Sequence, residues 1–160
     1  MERVLTMKKM LAFLFTLAMI FCLPLSAMAY EYHGPETELV ALANRERKAN
    51  GIPPLTIDWE ITRLAQYKTE EMKNHRIFCH ESLVYGSPTQ MLDRFHVPYS
   101  AVGANIAMGQ ETPAEVINAW LNAPGHHANL TNPHFTKAGV GLSWDENGIP
   151  YWTLMLAAGL

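Results

Sequence analysis

The chain has 160 residues, of which 12 are Lys or Arg and 15 are Asp or Glu, so its formal net charge is −3. This length is sufficient for one domain with one hydrophobic core. The mildly acidic balance, with basic residues scattered along the chain, gives no electrostatic basis for binding nucleic acid or an anionic membrane surface.

The N-terminus has the three parts of an export signal. The short basic start Met7-Lys8-Lys9-Met10 precedes the uninterrupted apolar run Leu11–Leu23, and the small-x-small sequence Ala27-Met28-Ala29 follows. A permanent membrane-spanning helix needs roughly 20 apolar residues, so this run is short for an anchor. The pattern predicts a cleavable signal peptide over residues 1–29 and a secreted single domain over residues 30–160, with no permanent membrane anchor.

The predicted domain contains one cysteine, Cys79. A single cysteine cannot form an intrachain disulfide, so the stability of the domain must come from core packing. Cys79 precedes His80, but adjacent residues of an extended segment point to opposite sides. The thiol is therefore poorly placed to use that imidazole as its base, and we interpret Cys79 as a small buried apolar residue.

Capping residues and the spacing of apolar side chains predict four helices. Thr112 and Glu115 form a helix-start signal in which each side chain can satisfy a backbone amide of the first turn. The predicted helices are Pro35–Asn50, about Asp58–Asn74, Pro88–Phe95, and one that starts at Thr112-Pro113 and is ended by Pro124-Gly125. Asp58 is the predicted cap of the second helix, and Ser87 is predicted to start the third.

The C-terminal part changes to the period of a β-strand. Ala138–Trp144 and Ile149–Ala157 flank Asn147-Gly148, which supplies the positive φ angles that a tight hairpin turn needs. Helices followed by strands indicate an α+β fold, with helices packed on a small antiparallel sheet.

Two of the seven histidines stand out. His80 follows the exit from the second predicted helix and His126 follows Pro124-Gly125, so both are predicted in loops, where metal ligands and acid–base groups are common. Four others have a simpler interpretation as solvated or helix-capping residues. These are His33, His75, His96 and His134.

Several short stretches, none specific alone, occur together in a characteristic order. In that order the chain resembles the bacterial branch of the CAP superfamily, named for cysteine-rich secretory proteins, antigen 5 and pathogenesis-related class 1 proteins. The stretches are Leu42–Arg47 with Pro54-Leu55, Phe78–Ser82, Gly103–Ala107, Trp120–His126, and Gly139–Gly141 with Tyr151–Thr153.

The resemblance implies a three-layer α-β-α sandwich with a central cavity. In many members two histidines and two acidic residues line this cavity and can hold a divalent metal. His80 and His126 match the two histidines, and the resemblance places Asn105 in the cavity lining. Neutral imidazoles are good zinc ligands, so zinc or another divalent cation is the expected metal, although no cofactor is required.

The chain departs from the family pattern at one acidic position. Ala104 stands where the family has the glutamate of its Gly-Glu-Asn-Ile stretch. An alanine can neither ligate a cation nor accept a proton. Glu115 is a candidate substitute in the cavity lining, but its capping role already explains it. Two imidazoles without an acidic partner bind zinc less tightly than four ligands do, so weak metal binding is expected.

Three hypotheses for function follow. The first is a secreted CAP-domain protein whose cavity binds a small molecule, a lipid or a cell-envelope component rather than transforming it, with cell-wall or spore-coat association as the guess that the resemblance suggests. The second is a cell-wall-directed hydrolase with His80 or His126 as general base. The third is a protein-interaction module that uses the loop Glu81–Thr89. Its anchors would be Leu83, Val84 and Tyr85 if they are exposed, but the sequence is equally consistent with their packing onto the domain.

Overall fold

The structure is a computed structural model that describes residues 34–159. The predicted signal peptide lies outside these residues. Among residues 34–159, no helix combines the length and the apolar character needed to cross a bilayer. In chain order the elements are α1 (Pro35–Ala49), β1 (Thr56–Ile57), α2 (Trp59–His75), α3 (Pro88–Arg94), β2 (Ala101–Met108), α4 (Pro113–Leu121), α5 (Pro124–Leu130), β3 (Lys137–Trp144) and β4 (Pro150–Ala158).

The predicted helix starts are confirmed by their hydrogen bonds. The Asp58 carboxylate accepts from the amides of Glu60 and Ile61 at the start of α2. Ser87 forms a reciprocal capping box with Gln90 at the start of α3. The Thr112 hydroxyl accepts from the amide of Glu115 at 3.3 Å. Each bond satisfies an amide that has no partner within its own helix.

The prediction around Pro124 was wrong in one respect. Pro124-Gly125 does not simply end a helix, because α4 stops at Leu121 and Pro124 occupies the first turn of a new helix, α5. Proline is favoured there because its missing N–H would have no partner within the helix. His126 therefore lies in the first turn of α5 rather than in a loop.

The expected purely antiparallel C-terminal sheet also needs correction. The sheet has four strands in the order β1-β3-β4-β2, and β2 precedes α4 in the chain. The pairs β3–β4 and β4–β2 are antiparallel, but β1 runs parallel to β3, with Thr56 opposite Lys137. The sheet is thus mixed, and β2 forms one of its edges.

Helices cover both faces of the sheet and produce the α-β-α sandwich. In β4, Leu154 and Leu156 pack into a cluster with residues of α1, α4 and α5, whereas Met155 and Ala157 pack into a cluster with residues of α2 and α3. Successive side chains of a strand point to opposite faces, so β4 is apolar on both. All nine residues of this strand are buried.

Two glycines of β3 allow α2 to approach the sheet closely. A Cβ at Gly139 would lie 2.1 Å from the Thr62 amide nitrogen, and a Cβ at Gly141 would lie 2.5 Å from the Ala65 carbonyl oxygen. These contacts are with helix backbone, which cannot move aside as a side chain can. The absence of side chains here sets the spacing between α2 and β3.

We expect Gly139→Ala to destabilise the domain by at least about 1–3 kcal/mol, because the helix must shift to admit the methyl group. Urea unfolding measures the effect. The matched control is Gly125→Ala in α5, where no atom lies within 4 Å of the added Cβ. Equal stability of the two variants would show that α2 is not held this close to β3.

Arg47 of α1 fixes the segment that follows α4. Its side chain is fully buried. The guanidinium donates to the carbonyls of Pro53, Leu130, Asn132 and Phe135 at 2.7–3.0 Å. One planar group thereby satisfies the C-terminal end of α5 and the loop after it. Since α5 carries His126, this cluster of bonds also supports the position of that histidine.

We expect Arg47→Met to lower the free energy of unfolding by about 3 kcal/mol or more, because several carbonyls lose a charged donor. Arg47→Lys should restore little of the loss, since an ammonium group lacks the planar fork of donors. Chemical denaturation tests both variants against Arg45→Ala, which alters an exposed arginine of the same helix. A loss no larger than that of Arg45→Ala would contradict the role given to Arg47.

Candidate imidazole site

His80 lies in the loop that leaves the C-terminus of α2. The helix ends at Arg76, whose left-handed φ of 51° turns the chain. The following loop folds back through a β-bridge between Ser82 and Gly86. His80 is exposed at the start of this loop, so its position depends on how the loop is held.

A buried ion pair of α2 holds the loop. Lys68 and Glu71 side chains are only 3% and 8% exposed, and the Lys68 Nζ lies 3.3 Å from a Glu71 carboxylate oxygen. The same ammonium donates to the Glu81 carbonyl at 2.6 Å. The other Glu71 oxygen accepts from the Ser82 hydroxyl at 2.9 Å and from the Val84 amide at 3.1 Å. Both charges of the pair therefore bind the loop.

Hydrogen bonding outweighs burial in setting the pKa of Glu71. Burial alone would raise the pKa of this carboxyl, but the bonds from Ser82, the loop amides and Lys68 stabilise the carboxylate and lower its pKa overall. No role for this pair was predicted from the sequence. A signal was present, because Lys68 occupies the buried stripe of α2 where Ile61, Leu64 and Met72 also lie. A lysine in such a stripe needs a buried partner.

His126 is positioned by side chains of the edge strand β2 and of α4. Asn105 is fully buried, and its amide donates to the His126 carbonyl at 3.0 Å. Asn129 donates to the Asn105 side-chain oxygen at 2.9 Å. The Trp120 ring packs edge-on to the imidazole with centroids 6.4 Å apart, and its indole N–H donates to the Ile106 carbonyl. The half-buried His126 ring is thus positioned by a hydrogen bond to its own backbone carbonyl and by the packing of the Trp120 ring.

The structure brings His80 and His126 together. Their ring centroids are 5.8 Å apart and their planes are inclined by 45°. Within residues 34–159, neither imidazole makes a hydrogen bond to another protein group, so the ring nitrogens are open to an incoming ligand.

Both imidazoles have a lowered pKa. For each, partial burial is the main cause, since it disfavours the charged ring. The positive charge of Lys68 lowers the pKa of His80 further, and His80 lowers that of His126. The pKa of each ring is therefore below the ordinary value of 6.5, so both rings are neutral at pH 7.

The other predicted lining residues have different surroundings. Ala104 lies in β2 and alternates with Asn105, so its methyl group is on the same face as Val102 and Ile106. This face is covered by α3 and by α2, the helix that leads into the His80 loop, so a longer side chain at residue 104 would extend on the side of His80. Asn105 was predicted to line a cavity, but it is fully buried and its amide is used internally. Glu115 is exposed, and its carboxylate accepts from the Glu111 amide at 2.8 Å.

The donor set does not complete a zinc site. Structural zinc sites use four protein ligands and catalytic sites use three, whereas this pair supplies two. Among residues 34–159, no three His, Cys, Asp or Glu side chains are grouped so as to hold a metal ion. Ala104 offers no oxygen, and Glu115 is engaged at the start of α4. The residues fit weak two-point coordination and not a tightly held metal.

Cys79 and Tyr85 also have structural explanations. The Cys79 thiol is half-buried rather than fully buried, and it donates to the Glu81 carbonyl at 3.0 Å. Of the two alternatives for Tyr85, the structure shows packing onto the domain: its ring lies edge-on to Phe95 at 5.2 Å, with the Arg94 guanidinium over it. Leu83 and Val84 are exposed.

The fold and the imidazole pair define an α-β-α sandwich domain with two facing histidines. A model of the cysteine-rich secretory protein family, CAP, matches residues 40–156. The chain belongs to this family, and the resemblance of its ordered motifs is confirmed.

Relatives of the chain include bacterial proteins with larger chains. It is 44% identical over 130 residues to the uncharacterized protein YkwD of Bacillus subtilis, covering 81% of this chain and 48% of that protein. An extracellular protein containing a SCP domain from Bacillus anthracis matches with a TM-score of 0.71 and 28% identity, over 78% of this chain and 40% of that chain. The chain thus spans about half or less of these two relatives.

A third similarity concerns the fold alone. An outer surface protein from Borrelia burgdorferi matches with a TM-score of 0.72 and 22% identity, over 78% of this chain and 92% of that chain. The match therefore covers nearly all of that chain.

The proximity of the imidazoles makes their titrations dependent on each other. We expect His80→Gln to raise the pKa of His126 in an NMR titration, because the positive charge of protonated His80 is removed. His75→Gln, at the exposed end of α2, is the control and should leave the pKa of His126 unchanged. An unchanged pKa in His80→Gln would contradict the coupling.

The lowered pKa values also set the sign of a stability change. Because the folded rings bind protons less readily than the unfolded ones, the unfolded chain takes up more protons below the ordinary pKa of 6.5. The contribution of the neutral pair to the free energy of unfolding is fully present above pH 6.5 and is lost as the pH falls towards the pKa values of the folded rings. The double variant His80→Gln, His126→Gln should flatten this dependence.

Proposed function

We propose that this CAP domain acts outside the cell as a binding domain in the envelope, and that the His80–His126 pair is its recognition element. Each neutral imidazole offers one nitrogen as an acceptor or metal ligand and one N–H as a donor. The pair would hold a divalent cation weakly, or would bind polar groups of a small molecule, a lipid headgroup or another envelope component.

The observation that carries this proposal is the facing arrangement of the two rings. They come from distant parts of the chain, lie 5.8 Å apart and make no hydrogen bond with the protein within residues 34–159. Different groups hold the two rings. The Lys68–Glu71 pair holds the loop that carries His80, and Asn105 bonds to the carbonyl of His126. Two positioned polar groups that have no partner in the described part of the protein, at a partly exposed site, are typical of a binding site.

The proposed affinity for a cation is low for two physical reasons. Two ligands leave at least two positions of a tetrahedral zinc ion to water or to a bound ligand. The positive charge of Lys68 also acts on His80, as the lowered pKa of that ring reflects, and it would repel a cation in the same way. A ligand that brings its own carboxylate or phosphate would offset both effects.

Binding is favoured over catalysis by the surroundings of the pair. A general-base histidine is usually oriented by a carboxylate or carbonyl on its second nitrogen, and a nucleophile stands within hydrogen-bond reach. In the described part of the chain neither imidazole has such a partner, and the Cys79 thiol donates its hydrogen bond to the Glu81 carbonyl. The hydrolase hypothesis would be supported by turnover of wall material that is lost in His126→Ala.

The sharpest test restores the missing carboxylate. Ala104→Glu should raise the zinc affinity by about tenfold or more, because it adds an oxygen ligand at the position where the family has one. Isothermal titration calorimetry of the purified protein measures the change, and His126→Ala in the same background should abolish the gain.

Ala41→Glu is the matched control, since it adds the same charge to an exposed position of α1. Circular dichroism verifies that each variant is folded. If Ala104→Glu folds and binds zinc no better than Ala41→Glu, then residue 104 does not face the imidazole pair and the proposal is wrong.

A further inference from the structure

Trp144, at the end of β3, differs from the buried tryptophans of the sheet and α4. Trp120 and Trp152 are almost completely buried, and their indole N–H groups donate to the carbonyls of Ile106 and Gln110. Trp144 is 47% exposed. Within residues 34–159 its indole N–H has no hydrogen-bond partner. An exposed tryptophan combines a large apolar ring with an N–H that can donate to a ligand, and such rings are frequent at binding surfaces.

The ring borders a cleft between the last turn of α2 and the turn that joins β3 to β4. The cleft has a volume of about 280 Å³. Its lining is one aromatic ring among polar and charged side chains. The lining residues are Lys73, Asn74, Arg76, Trp144, Asp145 and Glu146.

Both walls of the cleft are held in place. Arg76 and Glu146 form an ion pair from one wall to the other. The Asp145 carboxylate accepts from the amides of Asn147 and Ile149 at 2.9 and 2.8 Å, which stabilises the turn. A cleft that is already formed loses little conformational entropy when it binds a ligand.

The charges of the cleft indicate the chemistry of the ligand. Its two cationic and two anionic side chains balance, so neither a polyanion nor a polycation is attracted as a whole. The Lys73 ammonium and the Asn74 amide have no protein partner in the described part of the chain. The cleft therefore presents an apolar ring face together with free donors and acceptors at its rim.

A sugar ring has the complementary chemistry. A pyranose carries C–H groups on one face and hydroxyl groups around its edge, and it is uncharged. We propose that this cleft is a glycan-binding subsite, in which a sugar ring stacks on Trp144 and its hydroxyl groups bond with Lys73 and Asn74. None of the lining residues belongs to the imidazole pair, so this site can be tested independently of the proposed function.

The test uses two uncharged oligosaccharides, the tetramer of N-acetylglucosamine and cellotetraose, added to the purified ¹⁵N-labelled protein. The indole N–H signal of Trp144 is assigned from its loss in Trp144→Phe. We expect at least one oligosaccharide to shift this signal with a dissociation constant in the millimolar range or below. Trp144→Ala should weaken binding at least about tenfold, as measured from the amide signals of the cleft.

Trp59→Ala is the matched control. Trp59 is 67% exposed and lies at the opposite end of α2, so its removal should leave the affinity unchanged. Thermal unfolding of each variant verifies the fold, and His126→Ala should bind the sugar as the parent protein does. If His126→Ala loses sugar binding while Trp144→Ala keeps it, the sugar binds at the imidazole site and this proposal is wrong.

Two further outcomes would also overturn it. One is the absence of any shift at Trp144 with both oligosaccharides at concentrations of about 10 mM, which corresponds to no useful affinity. The other is binding of polyglutamate or polyphosphate at this cleft with no response to the sugars, which would make the cleft a contact for anionic polymers.

Discussion

The position of the imidazole pair depends above all on the buried side chain of Asn105. This amide stands in the edge strand β2, donates to the His126 carbonyl and accepts from Asn129 of the same helix. An edge strand leaves a row of unpaired carbonyls, and here Asn129 and Trp120 donate to two of them, those of Ala104 and Ile106. Asn129 therefore satisfies the edge of the sheet and, through its bond with Asn105, also fixes the helix that carries His126.

The buried Lys68–Glu71 ion pair brings His80 to the same place. Its loop contains little regular structure, and a loop of this kind is usually mobile. The Lys68–Glu71 pair replaces a packed core here, because each charge bonds to the loop backbone or to Ser82. Burying two charges is expensive, and an apolar pair of similar volume is often as stable. The pair also positions the loop, since two apolar side chains could not hold the loop by its carbonyl and amide.

Much of the fold followed from local chemistry. The starts of α2, α3 and α4 were predictable because Asp58, Ser87 and Thr112 each cap a helix within three residues, which is a short-range effect. The parallel pairing of β1 with β3 and the edge position of β2 are long-range pairings with little local signal. At the site, ordered motifs indicated His80 and His126. The roles of Asn105, Lys68 and Glu71 became visible only from three-dimensional contacts, because a buried polar side chain is defined by partners distant in sequence.

The central claim is that the two imidazoles act as one binding element, and side-chain ¹⁵N NMR during a zinc titration tests it most directly. The account predicts that the ring nitrogens of His80 and His126 shift together, over the same range of zinc concentration, while those of His134 on the exposed surface stay unchanged. Zinc-dependent shifts at only one of the two rings, or equal shifts at all histidines, would contradict it.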